Sequence, residues 1–510
     1  MKRNYFLKKM GIAAALIAVR PDRGLGGPLQ QLLGASGDLA DEGGRVDLNE
    51  GIIDLHCHPS LKIYLLNKEM WKHHHPGPGP NMIHMQVDLE QLQSGCVKGF
   101  MATHYLVEAS IEQEWDTLKR FWRLLTWLLH GISRKIENED ESNVRQIGKM
   151  IDLLECQIRE CNERQKSVEF VVARSYSEFE DAIRDGKLPL AHAIEGAHAL
   201  GRNRPISKKR IQVREEALRA AQAAGGAPVI PRYRMTPDDD PNDPDKYLKH
   251  LEELHRRGVC MMTLSHFFRN DIAYPIDGIS VDGKKAPGMA WEYTPDKDHG
   301  LTEVGVAVVK RMLEIGMVVD LNHTTPGVRR DVFALNRQSN AERVRAGKPP
   351  RPLVFTHTGA QVIYDYYDQD RYPFYKYYCV SDEEIAAIEE CNGVIGVLAE
   401  NFWLTGADTH LAKDFPPAQF RDGIAYVIET MKYINSRTNG KHFDHVAIGT
   451  DFDGLADAPR DLYIHSQLRD LFTAMRADPD IPEEAIVKIC STNALRVLKA
   501  GWGNPTATAG

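Results

Sequence analysis

The sequence predicts an α/β protein, a TIM-like (β/α)8 barrel with helical and loop insertions, on three observations. Eight short apolar runs follow one another along the chain, and segments of helical periodicity lie between them. Five of the runs end on, or just before, side chains that can do chemistry: His56 and His58, Glu195, His323, His357 and Asp451. Continuous apolar runs mark strands buried on both faces, which is the signature of a parallel sheet. Parallel barrels carry their sites at the C-terminal ends of their strands.

Taken in order, the first run is Gly-Ile-Ile-Asp-Leu-His-Cys-His (51–58). Alternate residues of an extended chain point the same way, so this run can aim two imidazoles at one ion. On its own such a pair is more often chance or an ordinary polar strand end than a ligand pair; its recurrence downstream carries the argument. Lys98–Tyr105 is the second run. Leu-Ala-His-Ala-Ile-Glu-Gly-Ala-His (190–198) is the third and brings a carboxylate followed by glycine, with His198 placed to steady a ligand. Val259–Leu264 is the fourth. Glu303–Ile315 then reads as a helix, with Val304, Val308, Met312 and Ile315 on one face and Gly316 as its stop. The fifth and sixth runs, 317–323 and 352–357, each end on a histidine. Val394–Leu398 is the seventh, and 445–454 closes the set on Asp451.

The candidate ligands are spread over about four hundred residues, so one barrel spanning 47–500 is expected, because any cut between them would split the site. Two insertions interrupt it. Residues 108–168 read as two helices: Trp115, Leu118, Trp122, Leu125 and Leu129 keep helical spacing, a charged break follows near Glu137–Glu141, and a second helical run continues through Ile158. The aromatic face of the first suits packing on the barrel, with a homodimer contact or a membrane patch as its other uses. Arg202–Lys249 reads as a long surface excursion able to act as a lid. His73-His74-His75, ahead of a Pro-Gly repeat, reads as a loop over the barrel mouth rather than a dedicated metal site.

The same stretches resemble the membrane (renal) dipeptidase family of metal-dependent peptidases, within the amidohydrolase superfamily. The resemblance spans roughly 47–500 and is most specific over Gly300–His323. Ala-Ile-Glu-Gly-Ala-His, Met-Thr-Leu-Ser-His (262–266), Phe-Thr-His-Thr-Gly-Ala (355–360), Ala-Ile-Gly-Thr-Asp-Phe-Asp-Gly and Ser-Thr-Asn-Ala-Leu-Arg-Val-Leu (491–498) fall in that family's order. The resemblance implies two divalent metal ions, with His56, His58 and Asp451 on one, His323 and His357 on the other, and Glu195 bridging both. Imidazole and carboxylate donors with open positions suit catalytic zinc. It further implies that water acidified between the ions attacks an amide carbon, that Asp451 carries the proton to the leaving amine, and that His266 stabilises the oxyanion. The expected substrate is a dipeptide or another small molecule; another amide, a lactone or an ester would use the same metal pair. A non-catalytic binding barrel is the reading from a different class.

Two positions depart from the family. His58 stands where an aspartate is usual, which makes the site one charge more positive. An aromatic stretch around Tyr378 stands where the family has the arginine that grips the substrate carboxylate; Arg371 or Lys376 could reach in instead, and the tyrosines of Tyr364–Tyr378 would line the pocket.

A formal net charge of −8 with both signs scattered offers no basic stripe, so no nucleic-acid partner is expected. The eight cysteines show no Cys-X-X-Cys spacing and predict no disulfide framework, with Cys156 and Cys161 left open as a pair. Lys2, Arg3, Lys8 and Lys9 precede the apolar stretch Met10–Val19, the order of an export signal and too short for a membrane span. A signal over 1–19, a flexible tether over 20–46 and a tail over 501–510 are therefore expected, with export favoured over a cytoplasmic leader.

Overall fold

The computed structural model describes residues 51–74, 85–108, 143–164, 167–201, 244–267, 270–276, 298–363, 375–400, 423–440, 442–454 and 458–503. The signal and tether, the aromatic helix around Trp115–Leu129, His75 with its Pro-Gly run, residues 202–243, Arg371 with Tyr364, and the tail from 504 lie outside the described residues.

Among the described residues nine parallel strands form the sheet: β1 Ile52–Cys57, β2 Val97–Tyr105, β3 Phe170–Val172, β4 Leu188–Glu195, β5 Val259–Thr263, β6 Val318–Asp320, β7 Leu353–Thr358, β8 Val394–Val397 and β9 Val446–Ile448. The order β2-β1-β9-β8-β7-β6-β5-β4 closes through a six-residue pairing of Phe100–Tyr105 with Leu190–Glu195, which makes an eight-stranded barrel. Those eight strands are the eight apolar runs. β3 is additional, three residues long and paired with the opening of β4 at Leu188–Leu190.

The inside of the barrel is filled by Ile53, Leu55, Met101, Ala191, Ala193, Met261, Val318, Val354, Val394 and Ala447, all at most 2% exposed. Val497, Leu498 and Trp502 of the C-terminal segment join this cluster. With the interior packed, polar side chains collect only where the strands end. A second, larger apolar layer lies between the barrel and its helices. It takes the buried face of Glu303–Ile315 (Val304, Val308, Met312 and Ile315), whose N-terminus is capped by Thr302 and whose end is the left-handed Gly316 at φ +81.

Helix Asn143–Arg164 occupies the second half of the first insertion, with Ile147, Met150, Ile151, Leu154, Ile158 and Cys161 buried. Pro244–Arg256 is also helical, so the surface excursion stops six residues before Lys249; Tyr247, Leu251 and Leu254, at four- and three-residue spacing, form its buried face. None of the eight cysteines is in a disulfide, and Cys156 is exposed and Cys161 buried on the same helix. His73 Nδ1 is 2.9 Å from Glu90, and the His74 backbone N–H donates to Asp88 at 2.9 Å. Among the described residues no helix is long and apolar enough to cross a membrane.

Candidate metal centre

Six side chains named from the sequence meet at the C-terminal mouth of the barrel, each at most 6% exposed. His56 Nε2 and His58 Nε2 are 3.0 Å apart. Strict alternation would put His56 on the face opposite Ile53 and Leu55; the register of β1 against β2 shifts between Asp54 and Cys57, where that alternation must break. Asp451 Oδ1 lies 3.0 Å from His58 Nε2 and 3.9 Å from His56 Nε2. On the far side His323 Nε2 and His357 Nε2 are 3.0 Å apart. Glu195 sits between the two pairs: Oε1 is 3.1 Å from His323, 3.4 Å from His357 and 3.5 Å from His56, and Oε2 is 3.4 Å from His58.

The backbone is bent to deliver these groups. His323 and Asp451 hold φ at +61 and +56, left-handed values that side chains adopt at a cost where function requires it. Gly196, at φ +88, leaves Glu195 free to end its strand; a Cβ there would meet His198 Nδ1 at 2.4 Å.

Behind the donors two buried aspartates tie neighbouring strand ends. Asp320 accepts from Thr263 Oγ1 at 2.7 Å, the Asn322 and Thr356 backbone N–H groups at 3.1 Å, and Thr356 Oγ1 at 2.7 Å. Thr356 Oγ1 in turn reaches both His56 Nδ1 and His357 Nδ1 at 2.9 Å, so a single hydroxyl orients one imidazole from each pair. Asp54 repeats the arrangement with the His56 and Thr450 N–H groups, Thr450 Oγ1 and His465 Nε2.

Burial, reinforced by repulsion from the neighbouring imidazoles, holds His56 and His357 well below the ordinary histidine range, and burial takes His323 to about 4. These rings are neutral at pH 7, which is the ligating form. His58 differs: burial would lower it, but the hydrogen bond to Asp451 and the charges of Glu195, Asp451 and Asp453 outweigh that and raise it. Burial pushes the Glu195 carboxyl up.

The residues fit divalent cations. Glu195 Oε1 is a buried carboxylate oxygen without a hydrogen-bond partner, set among three imidazole nitrogens. Such an oxygen is costly unless a cation sits on it. Histidine and carboxylate donors come within 4.8 Å of one another in three overlapping groups: His56, His58 and Glu195; His56, His357 and Asp451; and Glu195, His266 and His323.

His266 Nε2 stands 3.4 Å from Glu195 Oε2, close enough to face anything held there. Tyr378 is buried, its ring centre 5.9 Å from that of His323, and Phe267 flanks the same imidazole at 5.7 Å. His198 bonds the Leu106 carbonyl at 2.8 Å and so braces the end of β2. Asp320, Asp54, Thr356 and Glu108 were not singled out in the sequence. The two aspartates precede ligand histidines by two and three residues, and Thr356 adjoins His357, a spacing that could have marked the first three.

Gly454 borders the centre: a Cβ there would come within 2.5 Å of both Asp451 Oδ1 and His58 Cδ2. Gly454→Ala is expected to weaken divalent-metal binding by roughly 10–100-fold while shifting Tm by only a few degrees. Calorimetric zinc titration and a melting curve check it together.

The model of the membrane dipeptidases, peptidase family M19, matches residues 243–504, just over half of the chain. An uncharacterized dipeptidase of Schizosaccharomyces pombe is 26% identical over 249 residues, 49% of this chain and 48% of that protein. The dipeptidase aclJ of Aspergillus oryzae is 23% identical over 248 residues, 49% and 46% of the two chains. The chain thus spans about half the length of these curated relatives. Among solved structures, a metallopeptidase of Rhodobacter sphaeroides, liganded with a phosphinate mimic of the dipeptide L-Ala-D-Ala, superposes with a TM-score of 0.56 at 18% identity, covering 89% of this chain and 99% of its own. The probable dipeptidase PvdM of Pseudomonas aeruginosa gives 0.53 at 16%, with 89% and 96% covered. These likenesses support the barrel, and the family match, read with the ligand geometry, gives the lineage: the chain belongs to the membrane dipeptidase family, peptidase family M19.

Proposed function

We propose that this protein is a binuclear metal-dependent hydrolase that cleaves the amide bond of a dipeptide, with zinc as its working metal. One observation carries the reading: a buried carboxylate oxygen at 3.1–3.5 Å from three imidazole nitrogens, with a second carboxylate, Asp451, beside the remaining histidine. His56, His58 and Asp451 would hold one ion, His323 and His357 the other, and Glu195 would join both. Bound there, two divalent cations supply an acidified water and polarise the carbonyl to be attacked.

The chain's own groups do the rest. Asp451 Oδ1, 3.0 Å from His58 Nε2 and 3.9 Å from His56 Nε2, can take the proton of the attacking water and pass it to the departing amine. His266 directs Nε2 across the mouth and is placed to donate to the oxygen that becomes negative. Tyr378 and Phe267 wall the site beside His323 and limit water.

The related reading, the same chemistry on another amide, a lactone or an ester, is favoured by the buried aromatic side chain of Tyr378 against His323. A substrate panel separates the two. The zinc-loaded protein is expected to hydrolyse dipeptides such as L-Ala-D-Ala; turnover confined to lactones, esters or N-blocked amides lacking a free carboxylate would replace the dipeptide reading.

A further inference from the structure

Three residues beyond the end of β2, Glu108 is an almost fully buried acid, 4% exposed, that belongs to neither set of donors above. Both of its oxygens are engaged. The Phe267 backbone N–H donates to Oε1 at 3.2 Å, the Tyr105 hydroxyl donates to Oε2 at 2.7 Å, and His266 Nδ1 faces the same Oε2 at 3.3 Å. The Tyr105 ring lies against the His266 ring with centres 4.3 Å apart. Acid, phenol and imidazole therefore form one packed unit linking the ends of β2 and β5.

We infer that Glu108 is a positioning residue for the proposed hydrolysis, accepting a hydrogen bond from His266 Nδ1–H and so holding the ring with its Nε2–H turned to the substrate oxygen. The inference rests on the dipeptidase reading for its kinetic consequences only. An ionised carboxylate is purely an acceptor, so the nitrogen bonded to it must carry hydrogen, and Nε2 is left to donate on the other side. The other nitrogen then points where the ring plane sends it, 3.4 Å from Glu195 Oε2. Without the acid, Nδ1 has no fixed partner in this unit and the ring can turn about χ2, a broad two-fold torsion. Two further features agree. Phe267 N–H and His266 Nδ1 grip opposite oxygens of one carboxylate, so the backbone after β5 and the imidazole are set by the same group. The charge state required also holds: burial alone would push the Glu108 carboxyl up, but the hydrogen bond and charge of His266, the charge of His198 and the Tyr105 hydroxyl outweigh it and take it down to about 2.

A group that merely anchored the loop after β2 would also matter to stability, so the test must read what passes through His266. Four proteins are compared under identical zinc loading: the wild type, Glu108→Ala, His266→Ala and the double variant. The expected result is that Glu108→Ala lowers kcat by roughly 10–100-fold with KM changed less than about threefold, and adds less than about twofold in the His266→Ala background. Glu108→Gln, which keeps a carbonyl acceptor for Nδ1, should recover most of the loss. Equal factors in both backgrounds, or an unchanged kcat, would overturn the inference. Should Glu108→Ala not fold, the same cycle run with Glu108→Gln decides, its smaller loss being expected to vanish in the His266→Ala background.

An independent readout needs no turnover. Nitrogen-15 spectra of histidine-labelled protein should show the His266 Nδ1–H held in a hydrogen bond to a carboxylate in the wild type and that signal lost in Glu108→Ala. A wild type that hydrolyses nothing would count against the dipeptidase reading alone, while an unchanged His266 Nδ1–H signal would count against Glu108.

Discussion

Glu195→Gln is expected to retain a folded barrel and lose turnover by roughly a thousandfold or more. The side chain is isosteric, but its Oε1 lies within 3.5 Å of imidazoles from both sides of the centre. In the proposed centre a neutral amide there would remove the negative charge that balances two cations and would offer a poorer donor to both. Several kcal/mol of transition-state stabilisation depend on the metals, and about 4 kcal/mol corresponds to a thousandfold in rate. Stability should move the other way. In the metal-free protein Glu195 is a buried acid with an unsatisfied oxygen, and burial pushes its pKa up, so the neutral side chain is favoured in the fold. The metal-free variant is therefore expected to melt at or above the metal-free wild type, whereas zinc should raise Tm far less in the variant. Melting curves with and without zinc, beside a rate assay, check both signs. A variant that keeps wild-type turnover would remove Glu195 from the mechanism.

The second large effect is expected away from the metals. Arg329 is fully buried, donates from Nη1 to both oxygens of Glu384 at 2.9 and 3.1 Å, and donates from Nη2 to the Tyr377 carbonyl at 2.7 Å. Its guanidinium also stands 5.0 Å from the Phe355 ring centre, on the strand that carries His357. Glu384 closes the capping box that starts helix Asp382–Glu390. One cation thus ties the helix after β6 to the segment bearing Tyr377 and Tyr378. Arg329→Ala strands a carboxylate in the interior and should cost about 3–5 kcal/mol, with Arg329→Lys recovering only part because it lacks the two-pronged geometry. Because Tyr378 packs beside His323, KM should rise as well. Urea denaturation and steady-state kinetics measure the two consequences. A loss below 1 kcal/mol would mean that water reaches Glu384 once the arginine is gone.

How far the chain could be read in advance follows from what each feature depends on. The eight barrel strands are visible because burial on both faces forces continuous apolar runs such as Val394–Val397, and the metal donors because they must follow those runs. β3 escaped notice because three residues that pair only with Leu188–Leu190 leave no period to detect. Helix Pro244–Arg256 was merged with the excursion before it because its opening residues, Pro244, Asp245 and Lys246, share that segment's polar composition. Asp320 and Thr356 stand beside ligand histidines in sequence, a spacing that could have marked them, but the links of Thr356 to His56 and of Glu108 to His266 span 300 and 158 positions and leave no record in it. Apart from His56 and His58, the six donors are also scattered along the chain, but each sits at a position the barrel itself singles out.

The central claim, that these six side chains hold a pair of cations, is tested most directly by elemental analysis of protein purified without added metal, followed by zinc titration of the chelated form. About two divalent ions per chain are predicted, with His323→Ala and His58→Ala each falling towards one. A chain that carries no metal and takes up none on titration would contradict the account.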